Sequence, residues 1–543
     1  MQADPVLNIE DLSLGLKRAA STLVVERLNL TVHEGETVCL VGESGSGKSL
    51  TALAVMGLLP DAITIKGGAI QVAGKQVVGA SPSTVRRMRA SDMGMIFQEP
   101  MTALNPVVSI GSQIDEVLRI HTSWSAGRRR DEVLNVLRQV NLPDPVAIYD
   151  AYPHQLSGGQ RQRAMIAMAL LLKPRVLIAD EPTTALDVTT QRQILSLIKE
   201  LQTTTRMGVL FITHDMGVVA DIADRVVVLR RGETVESGPV DRILRAPTSA
   251  YTRELLQSVP SLVPASPREK RGDPPVLSVS GLTKQYGSRA LFGRARKVLA
   301  ARDVTFSIAP GRTLGIVGES GSGKSTVARC IVRLLDPDAG SVLIEGADIA
   351  KRAERDLRPL RARMQIVFQD PYRSLNPRIR VGESMIEGLL NFGNDRETAL
   401  SKAKALLDRV GLPKDSVDRY PHEFSGGQRQ GIAIARALTM SPSLIVADEA
   451  VSALDVVVQK QILELLRDIQ AEFGIAMLFI THDLRVAAQV CDEIAVMKSG
   501  MVVESGAAEL VLRRPQQAYT RELIEAAPGK HWDFANFRPV SDI

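Results

Sequence analysis

Two stretches of this chain, Gly42–Ser49 and Gly318–Ser325, both read GESGSGKS, a spacing suited to holding a polyphosphate. Each follows a predicted strand, TVCLVG at 37–42 or TLGIVG at 313–318, and leads into a predicted helix. Glycines let the backbone wrap so that consecutive amides face phosphate oxygens, and a helix N-terminus adds positive potential. On this reading the cradles are Gly42, Glu43, Ser44, Gly45, Ser46 and Gly47, and again Gly318, Glu319, Ser320, Gly321, Ser322 and Gly323. Lys48 and Lys324 reach the β- and γ-phosphates, and Ser49 and Ser325 hold magnesium.

Acids stand where such a loop needs them. Asp180 and Asp448 end the apolar runs VLIAD and LIVAD, as required of a carboxylate that engages magnesium through water. Glu181 and Glu449 follow directly, each a general base or water-polariser in reach of a γ-phosphate. Of seven histidines, His214 and His482 occupy one repeated spot, after an apolar run in FITHD. A neutral imidazole there donates to the γ-phosphate or orients water. Gln98 in IFQEP and Gln369 in VFQDP also recur, and an amide can both ligate magnesium and sense the γ-phosphate, or simply occupy a turn before Pro100 or Pro371.

The elements that position these groups are written twice. GESGSGKS, SGGQRQ, ALD and FITHD recur in one order, offset by 276 residues at the first motif and 268 at the later ones. Repeats of this length are whole domains. The Pro-, Ser- and charge-rich stretch VPSLVPASPREKRGDPP separates them. The expected division is 1–260, a linker at 261–275, and 276–543. Short apolar strands alternating with helical stretches predict a mainly parallel sheet covered by helices. SLTALAVMGLL at 49–59 reads as a helix stopped by Pro60. Charged, Leu-bearing segments such as RRRDEVLNVLRQV predict a helical insertion between Gln98 and Ser157, and again between Gln369 and Ser425.

Composition bounds the class. Apolar residues at 45% and charged residues at 23% exclude a disordered or fibrous chain. Lys plus Arg at 66 against Asp plus Glu at 61 leaves +5, which tolerates an anionic partner without demanding nucleic acid. RRMR at 86–89 and GRRRD at 127–131 read as solvated helix faces. Cys39, Cys330 and Cys491 are too far apart for a zinc cluster or disulfide framework and read as small apolar filler. The longest apolar run, Ala164 to Leu172, is too short to span a bilayer, and no signal peptide is read at the N-terminus. The aromatic tail HWDFANFRPVSDI is expected to pack on the second domain.

LSGGQRQR at 156–163 and FSGGQRQG at 424–431 resemble the signature of ATP-binding cassette ATPases, and the whole motif order fits that family. The resemblance implies an α/β fold: two tandem P-loop NTPase cassettes, each with a RecA-like sheet core, an antiparallel β subdomain and a helical subdomain. It implies ATP and Mg2+, with ATP between the phosphate loop of one cassette and the signature of the other. One site would join the Lys48 loop to Ser425, Gly427 and Gln428; the other would join the Lys324 loop to Ser157, Gly159 and Gln160. Asp187 and Asp455 would couple the sites. The family stacks adenine on an aromatic residue after the first strand. Tyr286 fits that place, and Leu16 stands there in the first half. DEPTTALD becomes DEAVSALD, so Ala450 replaces the counterpart of Pro182 and alters loop stiffness, not chemistry.

APTSAYTRELLQSVP at 246–260 and RPQQAYTRELIEAAP at 514–528 resemble the C-terminal motif of oligopeptide and dipeptide importer ATPases. MTALNP at 101–106, YRSLNP at 372–377 and the basic insertion at 287–298 point the same way. That resemblance implies ATP-driven uptake of short peptides or similar small solutes. The implied partners are two transmembrane permease subunits, docked near 98–106 and 369–377, and an extracytoplasmic solute-binding protein. The implied place is the cytoplasmic face of the inner membrane, and no iron–sulfur centre is expected. The rival is a soluble twin cassette acting on ribosomes, which usually carries a long charged helical linker and lacks the tyrosine extensions.

Overall fold

A computed structural model describes residues 5–19, 22–98, 103–184, 186–265, 273–287, 297–452 and 454–540. Most of the basic insertion, the linker centre, Met101 and Thr102 lie outside them. The chain forms two compact units. The first comprises Met1–Leu186, Thr190–Val259 and His531–Asp542; the second comprises Asp187–Thr189, Pro260–Lys530 and Ile543.

In the first unit a six-stranded sheet runs in the order Met93–Ile96, Val176–Asp180, Gly208–Thr213, Thr37–Val41, Arg225–Arg230, Glu233–Pro239. All neighbours are parallel except the last pair. Thr37–Val41, Val176–Asp180 and Gly208–Thr213 are buried along their whole length, which is why they read as continuous apolar runs. A second sheet, antiparallel throughout, orders Leu23–His33, Pro5–Leu16, Ile63–Val72 and Lys75–Gln76. One core joins both sheets to the helix Lys48–Met56: Leu7, Ile9 and Ile70 meet Ala52, Val55, Leu40 and Ile178. Each fully buried aliphatic side chain there contributes on the order of 2 kcal/mol. The loop before that helix is thereby anchored to a rigid body.

The same helix ends earlier than its sequence suggests. Gly57, at φ +63°, closes it with its N–H on the Ala54 carbonyl, three residues before Pro60. The helical insertion carries Ile110–His121, Ala126–Gln139, Pro145–Asp150 and Gly158–Leu170. Ser109, Ser125 and Asp144 cap the first three by accepting from backbone N–H groups of the first turn. GRRRD lies on the helix Ala126–Gln139 as a solvated face, with Gly127, Arg128, Arg130 and Asp131 exposed, and its arginines also make local contacts. Arg128 lies over the Trp124 ring at 4.2 Å, Arg129 pairs with Asp115 at 2.8 Å, and Arg130 covers Tyr149 at 4.3 Å.

The second unit repeats the plan. Its sheet runs Met364–Val367, Leu444–Asp448, Ala476–Thr481, Thr313–Val317, Glu493–Lys498, Met501–Ala507, with only the last pair antiparallel. The antiparallel sheet orders Lys297–Ile308, Leu277–Gly287, Ala339–Ile344 and Ala347–Asp348. Phe211 and Phe479, from the two FITHD strands, are among the largest fully buried side chains. The three cysteines are buried and free.

The tail corrects an expectation. His531–Asp542 groups with the first unit, not with the second domain. Trp532–Asp533 pairs with Arg538–Pro539, Phe534 is buried, and the Arg245 guanidinium lies 5.4 Å from the Trp532 ring. An apolar side chain and a cation acceptor on so short a segment find there the cover that they need.

Candidate active site

The two phosphate loops bend between a strand and a helix. Gly42 stands at φ +152°, and a Cβ there would lie 2.2 Å from the Leu229 carbonyl oxygen; Gly318 meets Met497 in the same way. Only glycine fits this approach. Lys48 is 5% exposed and Lys324 4%, so each ammonium is held inside its loop. Lys48 Nζ donates to the carbonyls of Gly42 and Glu43, both at 2.8 Å; Lys324 donates to those of Gly318 and Glu319 at 2.7 and 2.8 Å. The Ser46 and Ser322 hydroxyls are buried and make no hydrogen bond. An orphaned donor inside a glycine cradle fits an anion such as phosphate.

Ser49 Oγ donates to Asp180 Oδ1 at 3.1 Å and Ser325 Oγ to Asp448 Oδ1 at 2.9 Å. A hydroxyl and a carboxylate brought together are hard oxygen donors that suit Mg2+. Burial pushes Asp180 up to about 6, helped by the adjacent Glu181 charge and opposed by Ser49 and Lys48. Burial raises Asp448 as well. A cation at this spot would relieve that cost.

Glu181 and Glu449 carry left-handed backbones, at φ +46° and +50°. A non-glycine residue held there is strained, and such strain concentrates at working sites. The turn swings each carboxylate out of line with its strand and onto the repeated polar groups. Gln98 Nε2 donates to Glu181 at 3.0 Å, Thr184 Oγ1 donates at 2.9 Å, and His214 Nδ1 lies 3.2 Å away. In the second unit Gln369 Nε2 donates to Glu449 at 2.9 Å, and His482 Nδ1 lies 3.5 Å from it. Burial alone would raise Glu181, but the His214 hydrogen bond and charge, Thr184 and Lys48 outweigh it and bring the group down to about 2. Glu449 is lowered too: burial would raise it, and the His482 hydrogen bond and charge, with Lys324, outweigh that. Both histidines are raised: burial opposes their charge, and the glutamate partner overcomes it. Each glutamate is thus ionised at neutral pH.

The signature residues form helix N-termini. Ser157 Oγ accepts from the Gln160 N–H at 3.3 Å, while Gln160 Oε1 accepts from the Ser157 N–H at 2.9 Å. Ser425 and Gln428 repeat this capping box. A Cβ on Gly159 would meet Thr190 at 2.6 Å, and one on Gly427 would meet Val458 at 2.2 Å. Asp455 caps its helix by accepting from the Val458 N–H at 3.1 Å, and Asp187 accepts from Thr189 Oγ1 at 2.8 Å. Tyr286 and Leu16 stand exposed near the ends of equivalent strands, 42% and 37% accessible.

Two contacts escaped the sequence reading. Thr184 donates to the Glu181 carboxylate, whereas its counterpart Ser452 donates to the Glu449 backbone carbonyl at 3.0 Å. The tyrosines of the two AYTRE motifs reach the phosphate loops: the Glu43 N–H donates to Tyr251 Oη at 3.1 Å and the Glu319 N–H to Tyr519 Oη at 3.2 Å. The repetition of AYTRE was the available signal. Its target, some 200 residues upstream, was not.

Against known proteins, the profile of a family described as "ABC transporter" matches residues 25–184 and 301–452, together more than half of the chain. A profile described as "Oligopeptide/dipeptide transporter, C-terminal region" matches 235–289. The chain is 47% identical to the glutathione import ATP-binding protein GsiA of Salmonella paratyphi A, over 96% of this chain and 89% of that protein. It is 46% identical to the protein of the same name from Escherichia coli strain K12, over 97% and 90%.

Proposed function

This chain belongs to the ABC transporter ATPases, and from that premise we propose that it hydrolyses ATP to energise import of short peptides or related small solutes through a membrane permease. The observation that carries this reading is the likeness, along nearly the whole chain, to glutathione import ATP-binding proteins. In both cassettes the repeated site groups lie within hydrogen-bonding reach of one another. Glutathione is a tripeptide with a γ-linked first residue, so it is the first solute to test, ahead of ordinary di- and tripeptides.

Each residue then has a task. The loop amides and the Lys48 and Lys324 ammonium groups bind the β- and γ-phosphates. Ser49, Asp180 and Gln98, and likewise Ser325, Asp448 and Gln369, would hold Mg2+, which when bound neutralises charge on the phosphate oxygens. Glu181 and Glu449 orient the attacking water and take its proton. His214 and His482 hold the carboxylates in place and donate toward the γ-phosphate. Ser157, Gly159 and Gln160 serve the loop of the opposite cassette, as do Ser425, Gly427 and Gln428, so ATP joins the cassettes and hydrolysis parts them. Asp187 and Asp455 link the two events. The cassettes are 1–260 and 276–543, joined by 261–275.

Two permease subunits, an extracytoplasmic binding protein and a place on the cytoplasmic face of the inner membrane complete the reading. Among the described residues no helix is long and apolar enough to cross a membrane. A ribosome-acting twin cassette is the less favoured alternative. Uptake of labelled glutathione and of labelled di- to hexapeptides is to be compared in a deletion strain carrying wild-type chain or Lys48→Ala/Lys324→Ala. Restoration by the wild type alone supports import, and unchanged uptake of every solute in the deletion strain sinks it.

A further inference from the structure

The C-terminal extension of each cassette is built onto the phosphate loop. In the first unit Glu236, 6% exposed on the edge strand Glu233–Pro239, accepts from the Thr248 N–H at 2.9 Å, the Thr248 hydroxyl at 2.7 Å and the Ser249 N–H at 3.1 Å. That carboxylate pins the start of the helix Ala250–Gln257 to the sheet. Tyr251, second in this helix and 2% exposed, is thereby aimed inward. The Arg230 guanidinium covers its ring at 4.7 Å, and its hydroxyl accepts from the Glu43 N–H. The second unit repeats the plan, with Gln516 in place of Thr248 and its hydroxyl: Glu504 accepts from the Gln516 and Gln517 N–H groups at 2.8 and 3.1 Å, Lys498 covers Tyr519 at 4.2 Å, and Tyr519 accepts from the Glu319 N–H.

The peptide that follows Gly42 is therefore held on both sides. Tyr251 accepts from its N–H, that of Glu43, and the Lys48 ammonium donates to its carbonyl, that of Gly42, at 2.8 Å. The carbonyl of Glu43, one peptide on, is the other acceptor of Lys48. A shift of this one segment moves the acceptors that aim the lysine. The same holds for Glu319 between Tyr519 and Lys324.

We propose that Tyr251 and Tyr519 are positioning residues for ATP: through the Glu43 and Glu319 peptides they set the place of Lys48 and Lys324, so the C-terminal extension tunes nucleotide affinity. This rests on the reading of the chain as an ATPase. The lysine meets phosphate before and during transfer, so loosening it removes binding common to ground and transition states. Such a loss raises KM and spares kcat.

The test uses the full chain, with Tyr251→Phe, Tyr519→Phe and the double variant. Phenylalanine keeps the packed ring and deletes only the hydroxyl. The expected result is a KM for ATP, and a dissociation constant for a fluorescent ATP analogue, raised about 5-fold, with kcat within about 2-fold, the size of one lost hydrogen bond. Amide exchange in the peptides holding Glu43 and Glu319 should quicken by a similar factor. Unchanged affinity with unchanged exchange overturns the proposal, as does a fall in kcat at constant KM, the mark of lost active protein. Should the double variant fail to fold, the single variants carry the same readouts. A wild-type chain that binds the analogue but never turns over ATP, even with permease, overturns the ATPase reading alone.

Discussion

Glu181 holds its carboxylate 3.2 Å from His214 Nδ1 while its own backbone sits at φ +46°. The pairing and the strain belong together. An extended backbone would carry the side chain on along the strand, away from Gln98, Thr184 and His214. Expected for Glu181→Gln/Glu449→Gln is a fall in ATP turnover of at least about 100-fold, since a positioned base contributes about that much or more. The amide keeps the Gln98 and Thr184 contacts in kind, so ATP should stay bound and the closed state should accumulate. Phosphate release and retained nucleotide on a spin column measure both. Turnover near the wild-type rate would remove these glutamates from the chemistry.

Lys48→Ala/Lys324→Ala should abolish measurable ATP turnover. Each lysine is buried in its loop with two carbonyl partners, so truncation leaves a cavity and removes the charge facing phosphate. A coupled phosphate assay reads the rate, and circular dichroism checks that the fold survives.

The signature glycines make a steric prediction. Alanine at Gly159 would press on Thr190, and alanine at Gly427 on Val458, at 2.6 and 2.2 Å. Either helix must shift to admit the methyl, at a cost of about 1–3 kcal/mol. Turnover should fall, while analogue binding to the isolated loop side should hold. Paired replacements, Gly159→Ala with Thr190→Ser and Gly427→Ala with Val458→Ala, should recover part of the loss in thermal unfolding. No recovery would mean that the clash is not the cause.

Much of this architecture was legible because buried parallel strands are continuous apolar runs, and because a glycine loop with lysine has one economical geometry. VLIAD, LIVAD and both FITHD segments are strands with the acid or histidine just at or beyond the end. The helix end at Gly57 was misplaced because proline is the louder signal, while a glycine closes a helix by φ alone. The left-handed glutamates leave no trace in composition. The Tyr251–Glu43 contact joins residues 208 positions apart, and no local pattern encodes that. The tail was misassigned for the same reason: an aromatic segment announces that it will be covered, not by what.

Glu236 predicts an acid limit to the anchoring of the extension. Its carboxylate is lowered: burial would raise it, and the hydrogen bonds from Thr248 and Ser249 outweigh that. Glu504 is lowered in the same way. A group lowered on folding stabilises the fold above its unfolded value of 4.5 and loses that contribution as pH falls through the folded one. Glu236→Gln/Glu504→Gln should therefore lower the thermal midpoint at pH 7 by a few degrees, and the difference from wild type should shrink as pH falls below 4.5. A constant difference across that range would show that the charge is not what anchors the helix.

The last prediction concerns inequality between the halves. Tyr286 and Leu16 occupy equivalent strand ends and are both accessible, so each is free to meet a base at its own site. An aromatic ring stacks on adenine for about 1–3 kcal/mol, and a leucine offers no π face. Affinity at the Lys324 loop should exceed that at the Lys48 loop by roughly 5-fold or more. Titrating a fluorescent ATP analogue into Lys48→Ala and Lys324→Ala variants separates the two sites. Tyr286→Leu should then bring the stronger site down to the weaker, and Leu16→Tyr should raise the weaker toward the stronger. Equal affinities in both single-site variants, with no response to either exchange, would place adenine on some other surface of the cassette.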